Sequence, residues 1–372
     1  MVESTLTQEQ LAVRDLAAEI ARDVLAETAA ASQSSRRVDD GAWRALHESG
    51  LVAPVAEAFG GDGVPDTVSH LMAVEELAAG DPASAAAAVW SGHAAVLIGA
   101  CGDDDQRARY LPRFLDPSTR SAVAHLEGFG RQPSELRATI TAEHGGGWRV
   151  TGRKVAVAFA AEADPLVVVG TDPSTNALRA AVLEVPDKAR CQIETSDHLG
   201  LDAVPLSKVT LDLGVPHNRI IGDTPAASRS LSAAITRCRL TNAALMIGAA
   251  RRAREYAARY ATERVAFGRT LSEFQGVAFL IADAETQLMA ARLSMLDVAS
   301  RLDAGVTELE RRTTHTLSYA ANVSTQVTRD AIQVMGGHGF ITDHPVERWY
   351  RAVAGLASLD LDPLCSSFAP AL

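Results

Sequence analysis

The chain has 372 residues, 47% of them hydrophobic but only 5% aromatic, and a formal net charge of -11. The length suits two or three domains, and the alanine- and leucine-rich composition favours a large helical fraction built on a core of small and aliphatic side chains. The acidity, with no basic stripe, argues against non-specific nucleic-acid binding and reads first as solubility, without forbidding a local anion site.

The N-terminus is polar and acidic, unlike a signal peptide. Thr7 with Gln10 three residues later fits a capping box, and Leu11, Leu16, Ile20 and Val24 recur at roughly helical spacing. A second helix is predicted from near Asp40, carrying Trp43 and Leu46. The stretch from Phe59 to Pro65 is rich in glycine and reads as a loop. Helical patterns resume at Val68 and continue to about Leu115. The apolar run from Ala83 to Ala100 is mostly alanine, broken by Ser91, Gly92 and His93, so a buried helix is expected rather than a membrane span.

From about Ser121 to Asp223 valine and threonine rise and glycine and proline punctuate short runs: Arg137 to Ala142, Trp148 to Gly152, Leu166 to Val169, Ala180 to Val185 and Lys208 to Leu211. These predict a small antiparallel β domain, with a tight turn at glycines 145–147. Helical texture returns after Pro225, with long helices predicted over Ala227 to Ala261, Phe274 to Asp303 and Leu309 to Met335, the last stopped by Gly336 and Gly337. The expected fold class is mainly α with a central β domain, divided at 1–118, 119–224 and 225–372. Cys101, Cys191, Cys238 and Cys365 are far apart, with no metal-ligand spacing, and read as reduced thiols of a cytoplasmic protein.

Three segments stand out. In the first, Arg264 and Phe267-Gly268 follow a long helix, with Gln275 just beyond. The planar arginine fork suits a pyrophosphate; equally, Gly268 is an ordinary terminator and Ser272 with Gln275 fits a second capping box. In the second, Gln333, Gly336 and Gly337 allow a ligand to approach the backbone, or simply make a turn. In the third, Asp343 to Arg351, Pro345 fits a helix's first turn and Glu347 its positive end, so these charges have structural uses.

Taken in order, Arg-x-x-Phe-Gly, then Gln, then Gln-x-x-Gly-Gly-x-Gly-Phe, then Pro-Val-Glu-Arg-x-x-Arg resembles the C-terminal domain of acyl-CoA dehydrogenases, over about Arg237 to Arg351. The resemblance implies an N-terminal helical domain, a middle β-barrel domain and a C-terminal four-helix bundle, one FAD per subunit, and a homotetramer or dimer of dimers. It places Arg264, Phe267 and Gln275 at the pyrophosphate and adenine end of FAD, with Gln333, Gly336 and Gly337 reaching the ADP part across a subunit interface.

In that family a carboxylate takes the α-proton of an acyl-CoA thioester while the β-hydrogen leaves as hydride to flavin, and an electron-transferring flavoprotein receives the electrons. The matching base position here is Asp360, where the family has glutamate followed by Gly-Thr; Asp360 and Asp362 also read as solvated acids of a C-terminal tail. Aspartate is one methylene shorter, and a misplacement of about 1 Å lowers rates by on the order of 10²-fold unless the backbone compensates. The other base position of the family matches Cys238, which has no carboxylate. Arg239 matches an arginine near base and substrate, and can steady a carboxylate or join the surface charges with Arg237.

The middle domain departs from the family. The Thr-Glu-Pro and Gly-Ser-Asp region reads Ala124-His-Leu126-Glu127-Gly128, then Gly130 to Ser134, and only Glu127 survives. Ala156 stands for the tryptophan that shields the flavin, and Ala158 for the hydroxyl facing it. Three readings follow: an FAD-dependent dehydrogenase of acyl thioesters, on CoA or an acyl-carrier protein; a degenerate subunit lending FAD-end residues to an active partner; or a flavin oxidase or monooxygenase, as in nitroalkane-oxidising relatives that also use aspartate.

Overall fold

The computed structural model of the chain describes residues 6–128, 136–143 and 145–360. The order is helices, sheet, helices. Gln8–Ile20 (α1) starts on the expected Thr7–Gln10 capping box and runs through a π-helical turn at Ala21–Leu25 into Ala26–Ser35 (α2). Asp40–Glu48 (α3) is capped by Asp39, Thr67–Gly80 (α4) by Asp66 and Pro82–Cys101 (α5) by Asp81; Asp104–Tyr110 (α6) closes this part. Each aspartate accepts from backbone N–H groups of the first turn, which no intrahelical carbonyl reaches. Among the described residues α5 alone is long and apolar enough to cross a membrane. It is packed inside the fold.

The middle elements are Ala122–Ala124 (β1), Thr139–Ala142 (β2), Gly147–Ala158 (β3), Leu166–Asp172 (β4), Ala177–Leu183 (β5), the short Val185–Lys188 (α7), Gln192–Thr195 (β6), Leu206–Pro216 (β7) and Ile220–Ile221 (β8). Their path is β6-β7-β3-β2-β4-β5-β8, with β1 beside β4. Most pairings are antiparallel, but β1 and β2 both run parallel to β4, so the sheet is mixed. β3, β4 and β7 are longer than the sequence runs suggested, whereas β2 begins only at Thr139. β3 passes unbroken through Gly152 to Ala158, because its pairing with β7 absorbs a bulge between Lys154 and Val157.

Pro225–Glu263 (α8) is followed by a hairpin of Val265–Ala266 (β9) and Arg269–Thr270 (β10), then Gln275–Asp303 (α9), Glu310–Met335 (α10) and Val346–Ala357 (α11). Two local expectations need correction. The capping box lies at Thr270 and Glu273, not Ser272 and Gln275, since a 3₁₀ turn intervenes before α9. Pro345 is the N-cap of α11 rather than part of its first turn.

Close approach and buried charge join the two helical parts. Gly248 lets α8 touch α4: an added Cβ would lie 2.0 Å from the Glu75 carbonyl oxygen. Glu75, itself buried, accepts from Arg292 at 2.8 Å and pairs with Arg251 at 3.4 Å, tying α4 to α8 and α9.

The seam also holds buried neutral histidines. His93 Nε2 meets Thr241 Oγ1 at 3.1 Å, and His70 Nδ1 faces Arg237 at 3.3 Å. Burial lowers the His93 pKa to about 3, and burial with Arg237 holds His70 well below its usual value. The unfolded chain therefore binds these protons first. Stability is full above the ordinary histidine pKa and falls by about 1.4 kcal/mol per pH unit per histidine below it. Acidification from about pH 7 to about pH 5.5 is expected to remove roughly 2–3 kcal/mol through this pair. Denaturant titrations across this range check it; an equal slope in His93→Gln would assign the loss to other groups.

Candidate active site

Arg239 projects from α8 and Asp360 follows the last turn of α11. Arg239 is 1% exposed and Asp360 4%. The Arg239 Nε donates to both Asp360 carboxylate oxygens at 3.1 Å. Asp360 is therefore no solvated tail acid, and Arg239 is no surface charge; Asp362 and Cys365 lie outside the described residues. Two charges taken out of water in this way hold each other in one geometry, because either alone would be strongly destabilising.

A cavity of about 10 Å³ lies against this pair, walled by His125, Leu126, Leu136, Val169 and Ile235. His125 comes from the segment after β1, Val169 from β4 and Ile235 from α8, so the sheet and the C-terminal helices meet here. His125 Nε2 and Arg239 Nη2 are buried with no hydrogen-bond partner among the described residues. Burial depresses the His125 pKa to about 4, keeping the ring neutral. The sequence reading gave His125 no role. Its signal was weak: a lone histidine inside a segment whose family motif is eroded.

Glu127, the surviving motif residue, has a structural task. It accepts from Lys154 Nζ at 2.7 Å and from the backbone N–H groups of Arg137 and Ala138 at 2.6 and 2.9 Å. Lys154 is fully buried, and burial lowers its pKa to about 8. Ala156 sits on the β3 bulge with φ of 50°, and Ala158 is buried in the core beside Phe159. Gly130 to Ser134 lie outside the described residues.

The six residues associated with the FAD end are elsewhere. Arg264 caps the C-terminus of α8, and its guanidinium makes no bond among the described residues. Phe267, at the hairpin tip with φ of 52°, is 97% exposed, and Gln275 opens α9. Gln333 is exposed near the end of α10, and a Cβ added at Gly336 or Gly337 would meet nothing within 4 Å. Tyr260 Oη lies 3.2 Å from His338 Nδ1, which brings the end of α8 against the turn after α10. The structure thus gathers these six at one end of the helical bundle. Arg239 and Arg264 are separated by about 37 Å of α8, at roughly 1.5 Å rise per residue. The two groups do not meet within one chain.

In the third segment Glu347 and Arg351 are taken up structurally. Arg351 donates to Glu347 one turn back and to Asp202, both at 2.7 Å, docking α11 on the loop before β7.

Two sequence profiles match the chain: "Acyl-CoA dehydrogenase, N-terminal domain" over residues 7–117 and "Acyl-CoA dehydrogenase, C-terminal domain" over residues 229–359. The chain belongs to the acyl-CoA dehydrogenase family. Among its relatives is the probable acyl-CoA dehydrogenase FadE25 of Mycobacterium tuberculosis, 27% identical over 93% of this chain and 90% of that protein. Two solved structures share the acyl-CoA dehydrogenase fold. Butyryl-CoA dehydrogenase from Megasphaera elsdenii has a TM-score of 0.84 at 24% identity, covering 97% of this chain and 96% of that one. A glutaryl-CoA dehydrogenase from Mycobacterium smegmatis, in complex with FADH2, has a TM-score of 0.84 at 18% identity, covering 98% and 93%. The helix–sheet–helix plan is that of the family.

Proposed function

We propose that the chain is an FAD-dependent acyl-CoA dehydrogenase in which Asp360 removes the α-proton of an acyl thioester. The observation that carries this is the buried Asp360–Arg239 pair, held at a point where helices and sheet converge. Bound FAD supplies the acceptor for the β-hydride. Asp360 takes the proton on a carboxylate oxygen, and Arg239 holds that carboxylate in one orientation through the transfer. The surrounding Leu126, Leu136, Val169 and Ile235 exclude bulk water from the proton-accepting oxygens. A maintained carboxylate–arginine pair supports an active subunit rather than a degenerate one.

The free Arg264 fork fits a pyrophosphate, and the open Gly336–Gly337 turn lets a nucleotide lie against the backbone, with Phe267, Gln275 and Gln333 beside them. Because these residues lie far along α8 from Asp360, each FAD takes its inner end from one copy and its ADP contacts from another. Exposed Phe267, Phe279, Met289 and Phe340 give that second copy an apolar surface to cover. A homotetramer arranged as a dimer of dimers meets this need. We assign the domains as 1–118, 119–224 and 225–372, the location as cytoplasmic, and the electron acceptor as an electron-transferring flavoprotein.

The test is the flavin spectrum of the purified chain, before and after anaerobic addition of acyl-CoA. Bleaching supports dehydrogenation; a colourless chain that takes up no FAD overturns it. Arg264→Ala is expected to weaken FAD binding by about 10- to 100-fold, from loss of charge-assisted bonds of about 1.5–3 kcal/mol. Fluorescence titration of the apoprotein with FAD measures this, and an unchanged Kd would remove Arg264 from the site.

A further inference from the structure

His125, Arg239 and Asp360 line one cavity of about 10 Å³. That is room for about one oxygen atom with its hydrogens. Buried polar atoms are almost always paired, yet His125 Nε2 and Arg239 Nη2 are not paired among the described residues. Their chemistry is complementary. We place the proton of the buried His125 ring on Nδ1, which leaves the unpartnered Nε2 without a hydrogen. Nε2 of the neutral ring is then a lone-pair acceptor, while Arg239 Nη2 is donor only. Both Asp360 oxygens already receive the Arg239 Nε proton.

A thioester carbonyl would satisfy Arg239 but present a lone pair to His125. A methyl group would satisfy neither. An O–H group satisfies both, donating to Nε2 and accepting from Nη2. We propose that His125 and Arg239 form a hydroxyl subsite beside Asp360, taking an acyl thioester whose chain carries a hydroxyl close to the reacting carbons. The subsite rests on the assignment of Asp360 as the base, which brings those carbons into contact with this cavity's wall.

The experiment uses the FAD-loaded full chain and reads Kd from the change in flavin absorbance under anaerobic conditions. The probes are 4-hydroxybutanoyl-CoA against pentanoyl-CoA, and 3-hydroxybutanoyl-CoA against 3-methylbutanoyl-CoA, which exchange hydroxyl for methyl. In at least one pair the hydroxylated member is expected to bind about tenfold more tightly. His125→Val is expected to bring that ratio to about one or below, because the acceptor is gone. His125→Gln, which keeps an acceptor oxygen, is expected to retain a ratio above that of the valine variant. A ratio at or below one in both wild-type pairs, the result for a cavity that takes only water, overturns the subsite. So does a ratio unchanged in His125→Val. If pentanoyl-CoA bleaches the flavin without any hydroxyl preference, the dehydrogenase assignment stands and the subsite alone falls. If no acyl-CoA binds or bleaches, that assignment fails and the subsite with it.

Discussion

Asp360→Asn is expected to lower kcat per bound flavin by about 10²–10⁴-fold, the usual contribution of a positioned general base. Asparagine keeps the shape of aspartate and can still accept from Arg239 Nε, so the local packing survives. It has no carboxylate to receive the α-proton. Asp360→Glu is expected to recover only part of the loss. The longer side chain restores the reach of the usual family base, but its added methylene takes up the one-atom cavity of about 10 Å³ and shifts the carboxylate from its place on Arg239 Nε. Anaerobic stopped-flow bleaching by acyl-CoA, normalised to bound FAD, measures all three proteins. A rate in Asp360→Asn equal to wild type would exclude Asp360 as the base.

Arg239→Leu is expected to destabilise the protein by about 3–5 kcal/mol, because it leaves the Asp360 carboxylate buried without its counter-charge. The pair is almost wholly withdrawn from solvent, so water cannot screen the loss. The double variant Arg239→Leu, Asp360→Leu is expected to be more stable than Arg239→Leu alone, since no charge remains buried. Urea unfolding followed by circular dichroism gives the shifts. A change below about 1 kcal/mol in the single variant would show that the pair contributes no more than a surface ion pair.

These outcomes concern residues that sequence and structure revealed to different degrees. The Thr7–Gln10 box and the ends of α9 and α10 were legible because caps and helical periodicity act within a few residues. The bulge that carries β3 through Gly152 was not, because its register is set by β7, some fifty residues away. Similarly, the misplaced capping box near Ser272 shows a local pattern overridden by a 3₁₀ turn.

The candidate site divides in the same way. The order and spacing of Arg264, Phe267, Gln275, Gln333, Gly336 and Gly337 carry the family resemblance along the chain, and Asp360 follows from counting beyond Arg351. By itself the sequence determined the helix–sheet–helix plan and the residue types available for a flavin and a base. Only the tertiary structure decided that Asp360 is buried against Arg239, that Glu127 is occupied by Lys154, and that His125 shares the cavity. It also decided that the residues we assign to the FAD end lie far along α8 from the carboxylate. The reason is physical. Caps, turns and periodicity depend on near neighbours, whereas the burial of a charge and the partner it meets depend on packing between segments more than a hundred residues apart.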